Sequence, residues 1–153
     1  MPIPARKPST GPAVAVLAVL LLALVVCLGC GGGGDKTPPT ITAVTVTPNI
    51  LDYQGGQATV SVTASDDVTA APALLVTAEL LDSSQAVVAG PATLTLAGAT
   101  YSGVLTAPSN LTAQQHTYTV RVSARDAAGN TATDQSQSLT VSGLDGPPPP
   151  PPP

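Results

Sequence analysis

The sequence predicts an all-β protein built on a single antiparallel sandwich of about seven strands, and three observations carry that expectation. Short runs of alternating apolar and polar residues recur about every ten residues from Ile41 onward, separated by turn signals. The middle of the chain is rich in Thr, Ser, Val and Ala, which favour strands and turns over helices. No window of that region holds a helical period, the one long apolar run being near the N-terminus.

The clearest strands place Ala58, Val60, Val62 and Ala64 on one face against Gln57, Thr59, Ser61 and Thr63 on the other. The second pattern places Tyr118, Val120, Val122 and Ala124 against Thr117, Thr119, Arg121 and Ser123. In each, one face enters the core and the other meets water. Further strands are expected at Leu74 to Leu81, Ala92 to Leu96 and Thr100 to Leu105, with Ile41 to Thr47 before and Thr131 to Val141 after. Ala86 to Ala89 is a short extra edge candidate. Parity fails within Ile41, Val44 and Val46, so a bulge or a change of sheet is expected there. The last run is polar at Thr133, Gln135 and Gln137 before turning apolar at Leu139 and Val141, the pattern of an edge strand. Turn chemistry marks the boundaries: Thr47-Pro48-Asn49, Gln54-Gly55-Gly56, Asp66-Asp67, Asp82-Ser83-Ser84, Ala97-Gly98-Ala99, Ala107-Pro108-Ser109-Asn110 and Ala128-Gly129-Asn130.

Composition narrows the functional classes. Only 9% of the 153 residues are charged, the net charge is −4 and aromatics make up 2%. Such a sparse, acidic surface offers no footprint for nucleic acid. A hydrolase needs a nucleophile, a base and an orienting group, yet the single histidine, His116, sits among Gln114, Gln115 and Thr117 as a solvated residue at a loop end. Glu79, the only glutamate, points outward between Ala78 and Leu80. No enzymatic activity, no cofactor and no metal are expected. Sugar-binding platforms use exposed aromatics, whereas Tyr101 and Tyr118 have inward parity and Tyr53 alone is free.

The ends read differently from the middle. Arg6 and Lys7 precede an apolar run from Ala13 to Leu28. As a helix this run reaches only about 24 Å, against roughly 30 Å of bilayer hydrocarbon, which favours an export signal over a permanent span. The run closes on Cys27-Leu28-Gly29-Cys30 and then Gly31 to Gly34. This resembles the bacterial lipobox, with Gly29 at the small position and Cys30 at the acylated one; Cys27 departs from the usual Leu. The resemblance implies cleavage after Gly29, a diacylglyceryl group on the Cys30 sulfur, and an N-terminal acyl chain of the palmitate type. Three chains exceed what stable membrane anchoring requires. It further implies a cell-envelope location. Gly31 stands where aspartate signals inner-membrane retention in some bacteria, so the outer membrane is favoured if the cell has one.

The organisation is therefore a lipoprotein signal peptide at 1–29, a Gly/Pro tether at 30–39, the sandwich at 40–143 and a disordered polyproline tail at 144–153. The tether spans roughly 17 Å as a coil, and Pro147 to Pro153 make a polyproline rod of roughly 22 Å. Neither cysteine falls in the sandwich, so no disulfide staples it.

The runs TPPTITAVTVTP at Thr37 to Pro48, GATYSG at Gly98 to Gly103 and YTVRVSARDAAGN at Tyr118 to Asn130 resemble bacterial immunoglobulin-like and fibronectin type III-like extracellular repeats. That resemblance covers roughly residues 37 to 143 and implies an immunoglobulin-like sandwich used for spacing, adhesion or partner binding. It also implies that the Tyr118 hydroxyl closes a corner on nearby backbone. In such a topology Asp66, Asp67, Asp126 and Asn130 lie in loops at one end. Their oxygens are either ordinary turn formers, the expected reading, or a weak candidate calcium site. The chain enters the sandwich at that same end, which would turn these loops toward the membrane. The expected function is a non-enzymatic, lipid-anchored adhesion, binding or spacer module, monomeric, with the membrane as its partner through Cys30 and an unidentified protein as a second. The alternative is a secreted, soluble accessory or carbohydrate-binding subunit of a larger assembly.

Overall fold

A computed structural model of the protein describes residues 34–144; the signal, Cys27, Cys30 and the polyproline run lie outside the described residues. Among these are nine strands: β1 (Thr40–Thr47), β2 (Ile50–Leu51), β3 (Gly56–Ser65), β4 (Leu75–Leu81), β5 (Val87–Thr93), β6 (Thr95–Ala97), β7 (Thr100–Ala107), β8 (His116–Arg125) and β9 (Thr131–Val141). They form two sheets, β1-β3-β7-β6 and β2-β9-β8-β4-β5, packed face to face. This is the strand order of an immunoglobulin-type sandwich, with β1, β3, β7 and β6 in one sheet and β4, β8 and β9 in the other. The expected all-β sandwich is the observed fold.

Its core is made by the alternation read from the sequence. Ala58, Val60, Val62 and Ala64 of β3 face Tyr118, Val120, Val122 and Ala124 of β8, all buried, while the intervening residues point outward. Outward-facing Glu79 lies opposite Arg121 across the β4–β8 ladder, and its Oε1 accepts hydrogen bonds from the guanidinium at 2.7 Å. Being partly exposed, this pair orders the outer face more than it stabilises it.

Of the two outcomes expected for the first strand, the bulge occurs, and β1 stays in one sheet throughout. Thr42 is the extra residue of a bulge, because Ile41 pairs with Ala64 and Ala43 with Thr63, and this returns Val44 and Val46 to the core. After Pro48 the chain changes sheet, and β2 runs parallel to the end of β9. Only Thr140 and Val141 of β9 gain that second neighbour, so β9 is an edge along most of its length, as its polarity predicts. A further bulge at Gln135-Ser136, where Asp134 Oδ1 accepts the Ser136 N–H and hydroxyl, interrupts the edge and discourages pairing with another chain.

Two expectations need correction. The run Ala92 to Leu96 is not one strand: residues to Thr93 continue β5, which also absorbs Val87 to Ala89, and Thr95 begins β6 in the other sheet. Leu94 makes the crossing, with its side chain buried and its N–H still bonded to Val76 O at 2.8 Å while Thr95 pairs with Ser102. Gly90 and Pro91 together oppose Glu79, and Gly90 is required there: at φ 94° a Cβ would meet Ala78 O at 2.8 Å. The second correction concerns Tyr118. Among the described residues its hydroxyl makes no hydrogen bond, and the corner between β7 and β8 is closed by Asn110 instead. That fully buried amide donates to the carbonyls of Gln114, Val141 and Ser142 and accepts from the Thr112 N–H and hydroxyl. It is the Tyr101 hydroxyl that reaches backbone, donating to Ala71 O beneath the short 3-10 turn Ala71–Ala73.

The β4–β5 hairpin rests on Asp82. One of its carboxylate oxygens accepts the Ser84 hydroxyl at 2.6 Å and the N–H groups of Ser84 and Ala86 at 2.8 and 3.0 Å. These bonds, the Ser84 hydroxyl first, hold the carboxyl below its ordinary value of 3.8.

Two measurements check this account. Leu80→Ala, at a fully buried position, is expected to cost about 2–5 kcal/mol in denaturant unfolding, whereas Leu75→Ala, 49% exposed, costs under about 0.5 kcal/mol. Equal losses would mean the parity of β4 is misplaced. For Asp82, a carboxyl titration followed by NMR is expected to give a midpoint below 3.8. Because the folded value is the depressed one, the stabilisation is complete above 3.8 and is lost as the pH falls through the folded midpoint. Asp82→Ala should remove that part of the acid sensitivity.

Candidate functional site

Three segments meet at the end of the sandwich where the chain enters: Asp35 to Thr37, the β3–β4 loop beginning at Asp66, and the β8–β9 hairpin from Asp126 to Asn130. The meeting follows from strand direction. β1 starts beside the end of β3, since Thr40 pairs with Ser65, and β8 ends opposite the start of β4, since Arg125 pairs with Leu75.

Each acidic residue is placed by local backbone chemistry. Asp66 leaves β3 and turns the chain, its Oδ2 accepting the N–H groups of Val68 and Thr69 at 3.1 and 2.7 Å. Thr69, buried beneath it, accepts the Ala127 N–H and so ties this loop to the hairpin. Asp126 closes the hairpin: Oδ1 accepts the N–H groups of Gly129 and Asn130 at 2.6 and 2.8 Å, and Oδ2 accepts the Asn130 amide at 2.7 Å. Gly129 has a φ of 99°, which suits glycine. Asp35 uses Oδ1 to accept the Thr37 N–H at 2.9 Å, and the Asn130 amide also donates to Asp35 O at 3.0 Å.

These bonds fix the three carboxylates, and those of Asp35 and Asp66 each keep one oxygen that no donor engages. Carboxylate oxygens of Asp35, Asp66 and Asp126 lie within 4.8 Å of one another. Asp35 Oδ2 and Asp66 Oδ1 are buried at the atom level and accept no hydrogen bond. Among the described residues the one ion pair is Arg121 with Glu79, so no side-chain cation pairs with the three carboxylates. Burial pushes the Asp126 carboxyl up, but its bonds from the Asn130 side chain and from the hairpin N–H groups outweigh this and hold it below 3.8. Asp126 is thus held as a carboxylate, and the arrangement offers oxygen ligands suited to a hard cation.

The four residues singled out by sequence divide. Asp66 and Asp126 converge. Asp67 does not join them; it is an exposed loop residue. Asn130 stands beside the cluster, but its amide nitrogen faces Asp126 and the carbonyls of Asp35 and Thr37, so it acts as a clamp on the incoming chain. Sequence reasoning misses Asp35. The available signal is its position just before Pro38 and Pro39, where the chain must pass the two loops. At the opposite end, His116 is exposed at the start of β8 and lines a shallow depression with Asp82, Val88 and Tyr118, its ring edge-on to Tyr118 at 6.3 Å between centroids. Tyr101 and Tyr118 lie in the core as their parity predicts, and Tyr53 is 37% exposed.

In calcium-free buffer, Asp126→Ala is expected to lower the melting temperature by roughly 5 °C or more, because the hairpin loses its acceptor, while Asp67→Ala leaves it within about 1 °C. Scanning calorimetry checks this; an equal effect of the two would mean that the Asp126 bonds do not hold the hairpin.

No protein-family model matches the chain, and no curated protein matches it.

Proposed function

We propose that the chain is a lipid-anchored, non-enzymatic protein of the bacterial cell envelope, whose immunoglobulin-like sandwich acts as a spacer that presents its distal loops and C-terminal run away from the anchor. One observation carries this reading: the chain enters and leaves the sandwich at opposite poles. Thr40 begins β1 next to the Asp66 and Asp126 loops, whereas Val141 ends β9 beside His116, at the far end of β8. A strand of ten residues such as β8 spans about 33 Å, so the domain holds its two ends roughly that far apart. With Cys30 acylated, the acidic end faces the lipid and the polyproline run leaves from the distal end. The partners are then the membrane, through the lipid on Cys30, and a protein reached by the distal loops or tail. The protomer acts as a monomer, and the outer membrane is favoured where the cell has one.

Mass spectrometry of the mature protein from a bacterial host should find Cys30 at the N-terminus carrying lipid. Cys30→Ala should move the protein out of the membrane fraction or leave it unprocessed. A mature N-terminus elsewhere, unmodified, would refute the anchor and favour the secreted, soluble accessory subunit.

A further inference from the structure

We infer that Asp35, Asp66 and Asp126 form a calcium site that locks the incoming chain onto the end of the sandwich. Calcium takes six to eight oxygens at about 2.3–2.6 Å, so two oxygens on one ion lie no more than about 5 Å apart. The three carboxylates meet that condition, lying within 4.8 Å of one another.

The cluster alone would be an ordinary gathering of turn aspartates. What marks it as a ligand set is the pair of buried oxygens without partners, Asp35 Oδ2 and Asp66 Oδ1. In both residues the sister oxygen is engaged by backbone N–H groups, which fixes the carboxylate and leaves the second oxygen directed inward. A buried carboxylate oxygen that accepts nothing is costly, and neighbouring anions raise that cost. A divalent cation supplies the missing partner to both oxygens and neutralises most of the charge. Oxygen-only ligands of this number, supplied by three separate loops with water completing the shell, suit calcium better than the stricter magnesium octahedron.

The site also joins residues far apart in sequence. Asp35 lies five positions beyond Cys30, and its ligand partners belong to the sandwich. Calcium bound there would hold Asp35 of the tether to the sandwich. That consequence for the tether rests on the anchoring reading, whereas occupancy of the site does not.

The test uses the full chain expressed in a bacterial host, purified in mild detergent and stripped with chelator. Calorimetric titration with calcium chloride should give one ion per chain. At about 100 times the dissociation constant the melting temperature should rise by roughly 10 °C. Trypsin cleavage after Lys36, beside the proposed ligand, should slow in calcium. Asp35→Asn and Asp66→Asn should each weaken binding by about tenfold or more, yet melt no lower than wild type without calcium, since each removes a repelled charge while retaining an oxygen for the turn. A structural role alone would instead lower the calcium-free melting temperature. Absence of binding at millimolar calcium, binding unchanged in Asp35→Asn, or an equal response to magnesium would overturn the assignment. None of these readouts depends on whether Cys30 carries lipid.

Discussion

The structure depends on two sheets closing on each other through small side chains. With no Trp and no Phe in the sequence, the contact between β3 and β8 is made by Ala58, Val60, Val62, Val120, Val122 and Ala124, with leucines and two tyrosines around them. Valine and alanine pack densely on a pleated surface, but each buries little area, so the core gains its stability from many modest contacts. Such a core requires unbroken alternation. A single slip of register would send a whole row of these residues to water, and the extra residues of the bulges at Thr42 and Gln135-Ser136 sit on the flanking strands β1 and β9, leaving the alternation of β3 and β8 unbroken.

A core of small residues leaves the two ends of the sandwich open, and buried polar groups close them. At the distal pole Asn110 gathers the carbonyls of Gln114, Val141 and Ser142. At the other pole Asp126 and Asn130 hold the β8–β9 hairpin and the incoming chain together, with Thr69 bracing the neighbouring loop. The two plugs differ in charge. The Asn110 network is neutral and satisfied, whereas the Asp126 end brings three carboxylates together and leaves two oxygens without partners. One end has its buried polar groups satisfied, and the other leaves two carboxylate oxygens without a donor.

This asymmetry suits a module held by one end. Under the proposed anchoring, the tether would join the acidic pole, the end with unpartnered oxygens. The polar β9 edge and its bulge leave no clean strand for another chain to pair with.

Much of this was legible in the residues because strand alternation and turn chemistry are local. The inward faces of β3 and β8, the misfit within β1, the polar edge of β9 and the outward Glu79 each follow from a period of two and a few turn residues. The sheet change at Leu94 was not legible, since Ala92 to Leu96 has the same alternation whether it stays in one sheet or crosses to the other. Asn110 holds the corner expected of Tyr118 because a corner is closed by whichever side chain reaches its carbonyls, and reach depends on how β7 and β8 are joined. Asp66 and Asp126 could be suspected from their loops, but Asp35 belonged by sequence to a tether of glycine and proline. By itself the sequence determined the sandwich and its two central strands, because these depend on neighbours along the chain. Only the tertiary structure decided which aspartates meet, because local turns orient each carboxylate but the approach of residues 35, 66 and 126 to one another is set by the two sheets packing together.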